Sequence, residues 1–283
     1  MENEKKINRL TIPLAILFFI LFVIPFILLF CNSFLTYQAG QVEPDLPLTL
    51  SNYLKFFKDS YYFEVIIRTF WISIVTTVIC TLMAYPLAYF MANAKGYVKT
   101  TLLVLVVLPL ISGVMVQTMG WYGMLTNYGT VNAILLGLNI IDTPIAFLGT
   151  PVAIIIGLIQ GFLPFMVLPI MNSIQAIPNN VIEAAENFGA NGLQRFFRII
   201  LPLSRGGIGA GAILVFGACL SSYTTPSILG RGKVQVIGTV IYQQAMQLFN
   251  WPFASVIAVM LLIILLLLTT LSSLKSRRRE AKG

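Results

Sequence analysis

Hydrophobic and polar positions fall into long blocks along this chain rather than alternating. Six uncharged apolar runs stand out, at residues 11–34, 69–92, 101–124, 146–171, 206–226 and 252–273, the first reading TIPLAILFFILFVIPFILLFCNSF. Crossing roughly 30 Å of hydrocarbon takes about 20 helical residues, and each run is long enough. The pattern predicts an all-α integral membrane protein with six transmembrane helices, organised as a single domain over residues 1–283. Prolines and glycines inside the runs are tolerated because neighbouring helices and waters satisfy the freed backbone groups. The first run is too long for a signal-peptide core and ends in FCNSFL instead of a small-residue cleavage site, so it is read as a span.

The pattern changes between the fourth and fifth runs, in the loop 173–205. From Ile177 to Ser204 the chain reads IPNNVIEAAENFGANGLQRFFRIILPLS. Pro178, Asn179 and Asn180 supply a turn and a cap-like start. Helical spacing then sets Val181, Ile182, Ala185 and Phe188 on one face, with Glu183 and Asn187 on another. Gly189 interrupts this helix, as expected where a backbone turns or another surface comes close. A second amphipathic piece follows, with Arg195 and Arg198 among Phe196, Phe197, Ile199 and Ile200, and it ends at Pro202. On pattern alone, two readings stand: helices lying on a bilayer surface, or a knob that enters a groove in a partner.

Composition narrows the class. The chain is 58% hydrophobic and 10% charged, with a mean hydropathy of +0.88, whereas soluble domains carry about a quarter charged residues. Charge placement sets orientation. Six crossings put Lys5, Lys6, Arg9, Lys95, Lys99, Arg195, Arg198, Arg205, Lys275, Arg277, Arg278, Arg279 and Lys282 on one side, thirteen of the 18 Lys and Arg. The positive-inside rule makes that side cytoplasmic, with both termini and the loop 173–205. A multi-pass membrane protein with cytoplasmic termini is therefore expected. The net charge of +8 follows from these flanking cations, and no aromatic-interleaved basic patch points to nucleic acid. The basic tail from Lys275 suits anionic lipid headgroups. Cys31, Cys80 and Cys219 lie in apolar runs without ligand spacing and read as small buried hydrophobes.

Much chemistry is excluded. The chain has no histidine, which removes His-based triads and His-ligated metals, so neither catalytic nor metal-binding residues are expected. None of its ten acidic residues falls inside a run: Glu43, Asp45, Asp59, Glu64 and Asp142 lie outside, and Glu183 and Glu186 are cytoplasmic. Ion-coupled transporters usually carry ionisable groups at depth, so secondary transport is the weaker alternative. No G-x-x-x-x-G-K-[ST] occurs, GRGK at Gly230 lacking its spacing and hydroxyl, so energy for uphill transport must come from another polypeptide.

Polar groups at or within the runs are Gln117, Asn127, Asn132, Gln160, Asn172, Ser221, Ser222, Tyr223, Thr224 and Thr225, with Trp121 nearby; each alone is readable also as interhelical glue, and Gln117, Trp121 and Ser221 to Thr225 are singled out as candidates for a solute path. SSYTTP sets hydroxyls beside a proline, where a broken helix lines a cavity. Trp121 stacks on an organic cation or joins the aromatic belt. Gly207 and Gly211, four apart, permit close helix packing within or between subunits.

Glu183-Ala184-Ala185, then Gly189 after three intervening residues, and Ile199-x-Leu201-Pro202 after nine more resemble the EAA loop of the membrane permeases of ATP-binding-cassette (ABC) importers. The likeness covers almost the whole chain and is closest to the spermidine/putrescine-type permeases, whose entry to the second span is similar to LTLSNYLKFFKDSYYFEVIIRT at Leu48 to Thr69. YPLAYFMA at Tyr85, YTTPSILG at Tyr223 and NWPFAS at Asn250 are similar as well. Gln117 stands where relatives commonly show an arginine.

The resemblance implies a MetI-like type I importer membrane domain of the bacterial plasma (inner) membrane, without catalytic residues of its own. It implies two cytoplasmic ATPase subunits that carry ATP and Mg, a second permease subunit in an unlike pair (a homodimer being the alternative) and an external solute-binding protein. Glu183, Ala184, Ala185, Gly189, Ile199, Leu201 and Pro202 would couple the ATPase to the bundle. The implied solute is a polyamine, with opines or amino-phosphonates as alternatives. The membrane-embedded runs offer a polyamine no carboxylate, which leaves affinity to the binding protein.

Overall fold

The computed structural model describes residues 2–37 and 48–280; Glu43, Asp45 and Lys282 of the charge reading lie outside them. In chain order the helices are α1 (Glu2–Ser33), α2 (Ser51–Lys58), α3 (Ser60–Asn93), α4 (Gly96–Ser112), α5 (Val114–Met124), α6 (Thr130–Gly137), α7 (Pro151–Gln175) and α8 (Asn179–Asn187). They continue as α9 (Gly192–Leu203), α10 (Arg205–Ser221), α11 (Thr224–Leu229), α12 (Ile237–Tyr242) and α13 (Trp251–Glu280). Among the described residues no strand occurs.

Three helices, Ile16–Ser33 within α1, α3 and α7, are each long and apolar enough to cross a bilayer. Two bent pairs meet the same test together: α4 with α5, bent by 97°, and α9 with α10, bent by 59°. Trp251–Leu267 of α13 is a further, shorter apolar stretch. The run 101–124 is thus broken in the middle. Gly113 sits at the break with φ +77, a conformation that glycine adopts at little cost.

The chain forms two compact units. One comprises residues 1–63 and 240–283. Here α1 runs along α13, and α2 packs on the start of α13. Phe56 stacks on Tyr62 at 5.5 Å, and Tyr62 meets Phe253 edge-on at 5.2 Å. The Lys55 ammonium lies 4.7 Å over the Phe253 ring, a cation–π contact. Asn250 caps α13 by accepting from the Phe253 N–H at 3.1 Å. Only 6% of Ile16–Ser33 is buried, so the large apolar side chains of α1 face outward, where lipid is as good a neighbour as protein. Cys31 is exposed for the same reason, while Cys80 and Cys219 are buried.

The other unit, residues 64–239, is built around α7, half of whose span is buried. Thr150 caps it, with Pro151 at its first position, where a missing N–H does no harm. α10 lies along α7 because Gly207 and Gly211 let the backbones meet. A Cβ on Gly207 would fall 2.5 Å from the Pro169 carbonyl oxygen, and one on Gly211 2.7 Å from Met166 Sδ. The Gly207/Gly211 pair therefore packs within this chain. Asn132, fully buried, ties the loop after α5 together: its amide donates to the Thr126 and Ile145 carbonyls, and its oxygen accepts from the Ile145 N–H.

Candidate functional site

The residues singled out from the sequence fall into two groups, both in the unit 64–239. The first is the loop of α8 and α9. Ile182 packs against the core and Ala185 is buried, whereas Glu183 and Ala184 face outward. The apolar face read from the sequence is thus split, since Val181 is exposed and Phe188 is 92% exposed. Gly189 follows α8 with φ +78 and open space around its α-carbon. Its N–H donates to the Glu186 carbonyl and that of Ala190 to the Ala185 carbonyl, the paired bonds of a glycine-terminated helix end. The turn, not a close approach within this chain, accounts for this glycine.

α9 begins with a reciprocal cap: the Asn191 side chain accepts from the Gln194 N–H at 2.8 Å, and the Gln194 side chain from the Asn191 N–H at 3.1 Å. Arg195 pairs with Glu186 across the turn, an exposed contact worth at most about 1 kcal/mol. Residues Phe196–Ile200 form a π-helical turn. Pro202 sits just beyond it and has no N–H to return to the Arg198 carbonyl, which favours a widened turn there. Pro202 does not itself end the run: α9 continues to Leu203, and the chain bends at Ser204. Ile199 is half-buried, Leu201 packs on the core, and Leu193 and Phe197 are exposed.

The second group lies where α5, α7 and α11 meet. Trp121 Nε1 donates to Gln160 Oε1 at 2.9 Å. The Thr118 and Thr225 hydroxyls are 3.1 Å apart and buried. Gly157 makes room for Thr225, since a Cβ there would be 2.7 Å from Thr225 Cγ2. Gln117 spans the Gly113 break, its amide donating to the Pro109 carbonyl and to Ser112 Oγ, so it satisfies a carbonyl freed at the end of α4. Trp121 and Thr225 are thus tied to α7 and α5 respectively, while Gln117 is held at the α4–α5 break. Ser222 and Tyr223 form the break between α10 and α11, with Ser222 extended at ψ 129. Ser221 is exposed and donates back to the Gly217 and Ala218 carbonyls, and the Thr224 carbonyl accepts from Ser227.

Thr118 and Gly157, which sequence reasoning did not select for the solute path, complete this layer together with Gln160, which it named among the polar candidates without singling it out. Gly157 and Gly161 on α7 have the same spacing as Gly207 and Gly211, and that was the available signal. All side chains of the layer are neutral. Among the described residues no three His, Cys, Asp or Glu side chains gather as for a metal. A neutral polar layer on broken helices is suited to passing a solute.

These features define a polytopic helical permease, and the comparisons place it among known ones. The chain matches the family described as "Binding-protein-dependent transport system inner membrane component" over residues 6–280, and it belongs to that family. It is 36% identical over 259 residues to the spermidine/putrescine transport system permease protein PotB of Haemophilus influenzae, covering 91% of this chain and 90% of that one. It is 35% identical over 243 residues to PotB of Escherichia coli K12, with 86% and 88% covered. Among solved structures, a bacterial alginate ABC transporter in complex with alginate pentasaccharide-bound periplasmic protein superimposes with TM-score 0.77 at 19% identity, over 98% of this chain and 96% of that one. The MetNI methionine ABC transporter in an inward-facing conformation gives 0.58 at 18%, over 75% and 92%. The fold is that of the MetI-like importer membrane domain, and the chain is a non-catalytic, multi-pass inner-membrane permease subunit of an ABC importer.

Proposed function

We propose that this chain is one of two unlike permease subunits of a polyamine importer, with the loop 173–205 as its coupling site. It works as one membrane domain of six crossings, with both termini and the coupling loop in the cytoplasm. Two ATPase subunits supply ATP and Mg, while this chain binds no nucleotide, and an external binding protein delivers the solute. The observation that carries the coupling reading is the exposure, within one short segment, of the Glu183–Ala184 edge and of Phe188, which is 92% exposed. An aromatic so exposed in an aqueous loop calls for a cover, and a groove with an apolar wall and with basic and backbone N–H groups would suit Phe188 and Glu183 together. Ala184 permits close approach, and Gly189 sets the angle between α8 and α9. Closure of the ATPase dimer then pushes the knob and rocks the bundle.

The polyamine assignment rests on the relatives named above and on the neutral layer. Trp121 offers an aromatic face to an organic cation, and Gln117, Thr118, Gln160 and Thr225 supply dipoles without a charge that would hold the cation too tightly. Uptake of radiolabelled spermidine by proteoliposomes holding the permease pair, ATPase and binding protein tests the assignment. Glu183→Lys should insert normally yet abolish hydrolysis coupled to uptake. Normal assembly and uptake in that variant would show that Glu183 does not couple the subunits.

A further inference from the structure

The two halves of the coupling loop are attached to the bundle in different ways. α8 turns Glu183 and Phe188 outward, but α9 is rooted on α3. The Phe196 ring stands edge-on to both Tyr85 and Tyr89, with centroids 5.5 Å away in each case. The Tyr85 hydroxyl lies 2.8 Å from Ser204 Oγ, and Ser204 is fully buried. Ser204 Oγ also reaches the Leu201 carbonyl at 3.2 Å. A serine hydroxyl has one hydrogen; with that hydrogen on Leu201, Tyr85 is the donor to Ser204. In a buried pair no water competes, so the bond resists displacement.

The position of this cluster in the chain gives it mechanical meaning. Pro86 follows Tyr85 inside α3. Its missing N–H removes one rung of the helix ladder, so the helix is softest there. Tyr85 and Tyr89 lie on either side of that proline, and Phe196 touches both. Ser204 in turn marks the 59° bend between α9 and α10. One cluster therefore holds the soft turn of α3, the root of the coupling loop and the start of α10.

We infer that Tyr85 and Ser204 form a latch carrying displacement of α9 into α3 and α10, which makes Tyr85 a positioning residue for ATP-driven transport. The inference rests on reading 173–205 as the coupling loop. Without the hydroxyl bond, α9 slides on α3, and hydrolysis no longer moves the bundle fully.

The test uses the complete transporter with Tyr85→Phe, Ser204→Ala and the double variant; Tyr85→Phe keeps the ring against Phe196, so folding is preserved. Spin labels at Phe90→Cys on α3 and Phe197→Cys on α9, both exposed, in a Cys31→Ser background, report the distance between the two helices without need of solute. Expected is a narrow distance distribution, unchanged by ATP, with the native latch and a broadened, ATP-sensitive one in each variant. Spermidine taken up per ATP hydrolysed should fall about fivefold in each single variant, as for loss of one hydrogen bond, with no further fall in the double. The ATPase should co-purify undiminished. A Tyr85→Phe transporter with native distances and native uptake per ATP overturns the latch alone, as do losses that multiply in the double variant. Failure of the wild-type chain to retain any ATPase overturns the coupling reading and the latch with it.

Discussion

Replacing Gly207 by alanine is the sharpest test of how this bundle is held together. The new Cβ would lie 2.5 Å from the Pro169 carbonyl oxygen, 2.6 Å from Ser173 Cβ and 3.0 Å from Ile170 Cα, against an ordinary contact of 3.4 Å or more. Two of these three atoms are backbone and cannot rotate aside, so α10 must retreat from α7 by about 0.9 Å, the difference between 3.4 and 2.5. A gap of that size forfeits roughly a quarter to a half of each dispersion contact along the seam. Overpacking costs about 1–3 kcal/mol in closely packed interiors, and backbone obstruction argues for the upper end. Alanine's better helix propensity returns up to about 1 kcal/mol. The net expectation is a loss of about 2 kcal/mol. Gly209, two residues on, has nothing within 4 Å of its Cβ position, so Gly209→Ala keeps only the propensity gain. Thermal unfolding of the detergent-solubilised chain, followed by fluorescence-detected size exclusion, should rank Gly207→Ala clearly below wild type and Gly209→Ala at or above it. Equal stability of the two variants would refute the view that this seam is set by backbone contact at Gly207.

Other substitutions probe separate parts of the structure. Asn132→Ala removes three buried hydrogen bonds and should cost about 1–3 kcal/mol in the same unfolding assay, while Asn127→Ala, at an exposed position, should be neutral. Gly189→Ala forces a side chain into φ +78 at a cost of roughly 1–2 kcal/mol; both the thermal midpoint and uptake should fall. Gln117→Leu leaves the Pro109 carbonyl at the α4–α5 break without its donor and should lower stability by about 1–3 kcal/mol, whereas Gln117→Asn tests whether reach matters; labels on α4 and α5 would report any change in their 97° bend.

The membrane class and the two-helix form of the loop 173–205 were legible in the chain because both depend on short-range information. A helix in hydrocarbon must satisfy its own backbone, so an apolar run of sufficient length already specifies an element. The loop likewise announces itself through a proline start, a helical period and an interrupting glycine; the reciprocal Asn191–Gln194 cap acts just as locally, but only the structure disclosed it. What the period missed was direction. It grouped Phe188 with Ala185, yet Ala185 is buried and Phe188 stands out, because the helix end turns away from the core before Phe188 is reached.

Longer-range facts needed the folded chain. The composition of run 101–124 carries no mark of a 97° bend; only the Gly113 dihedral and the reach of Gln117 back to Pro109 disclose it. Gly207 and Gly211 were visible as a spacing, but whether they face a partner or α7 depends on which surface comes within 3 Å. The pairing of Thr118 with Thr225, 107 residues apart, and of Tyr85 with Ser204, 119 apart, follows from how spans stack, and a hydroxyl in an apolar run looks the same whether or not it has a partner. Sequence by itself thus determined a helical, multi-pass membrane class and the runs apolar enough to form its helices, since hydrocarbon acts on each segment separately. The tertiary structure alone decided which polar groups meet, because meeting is a property of two segments at once.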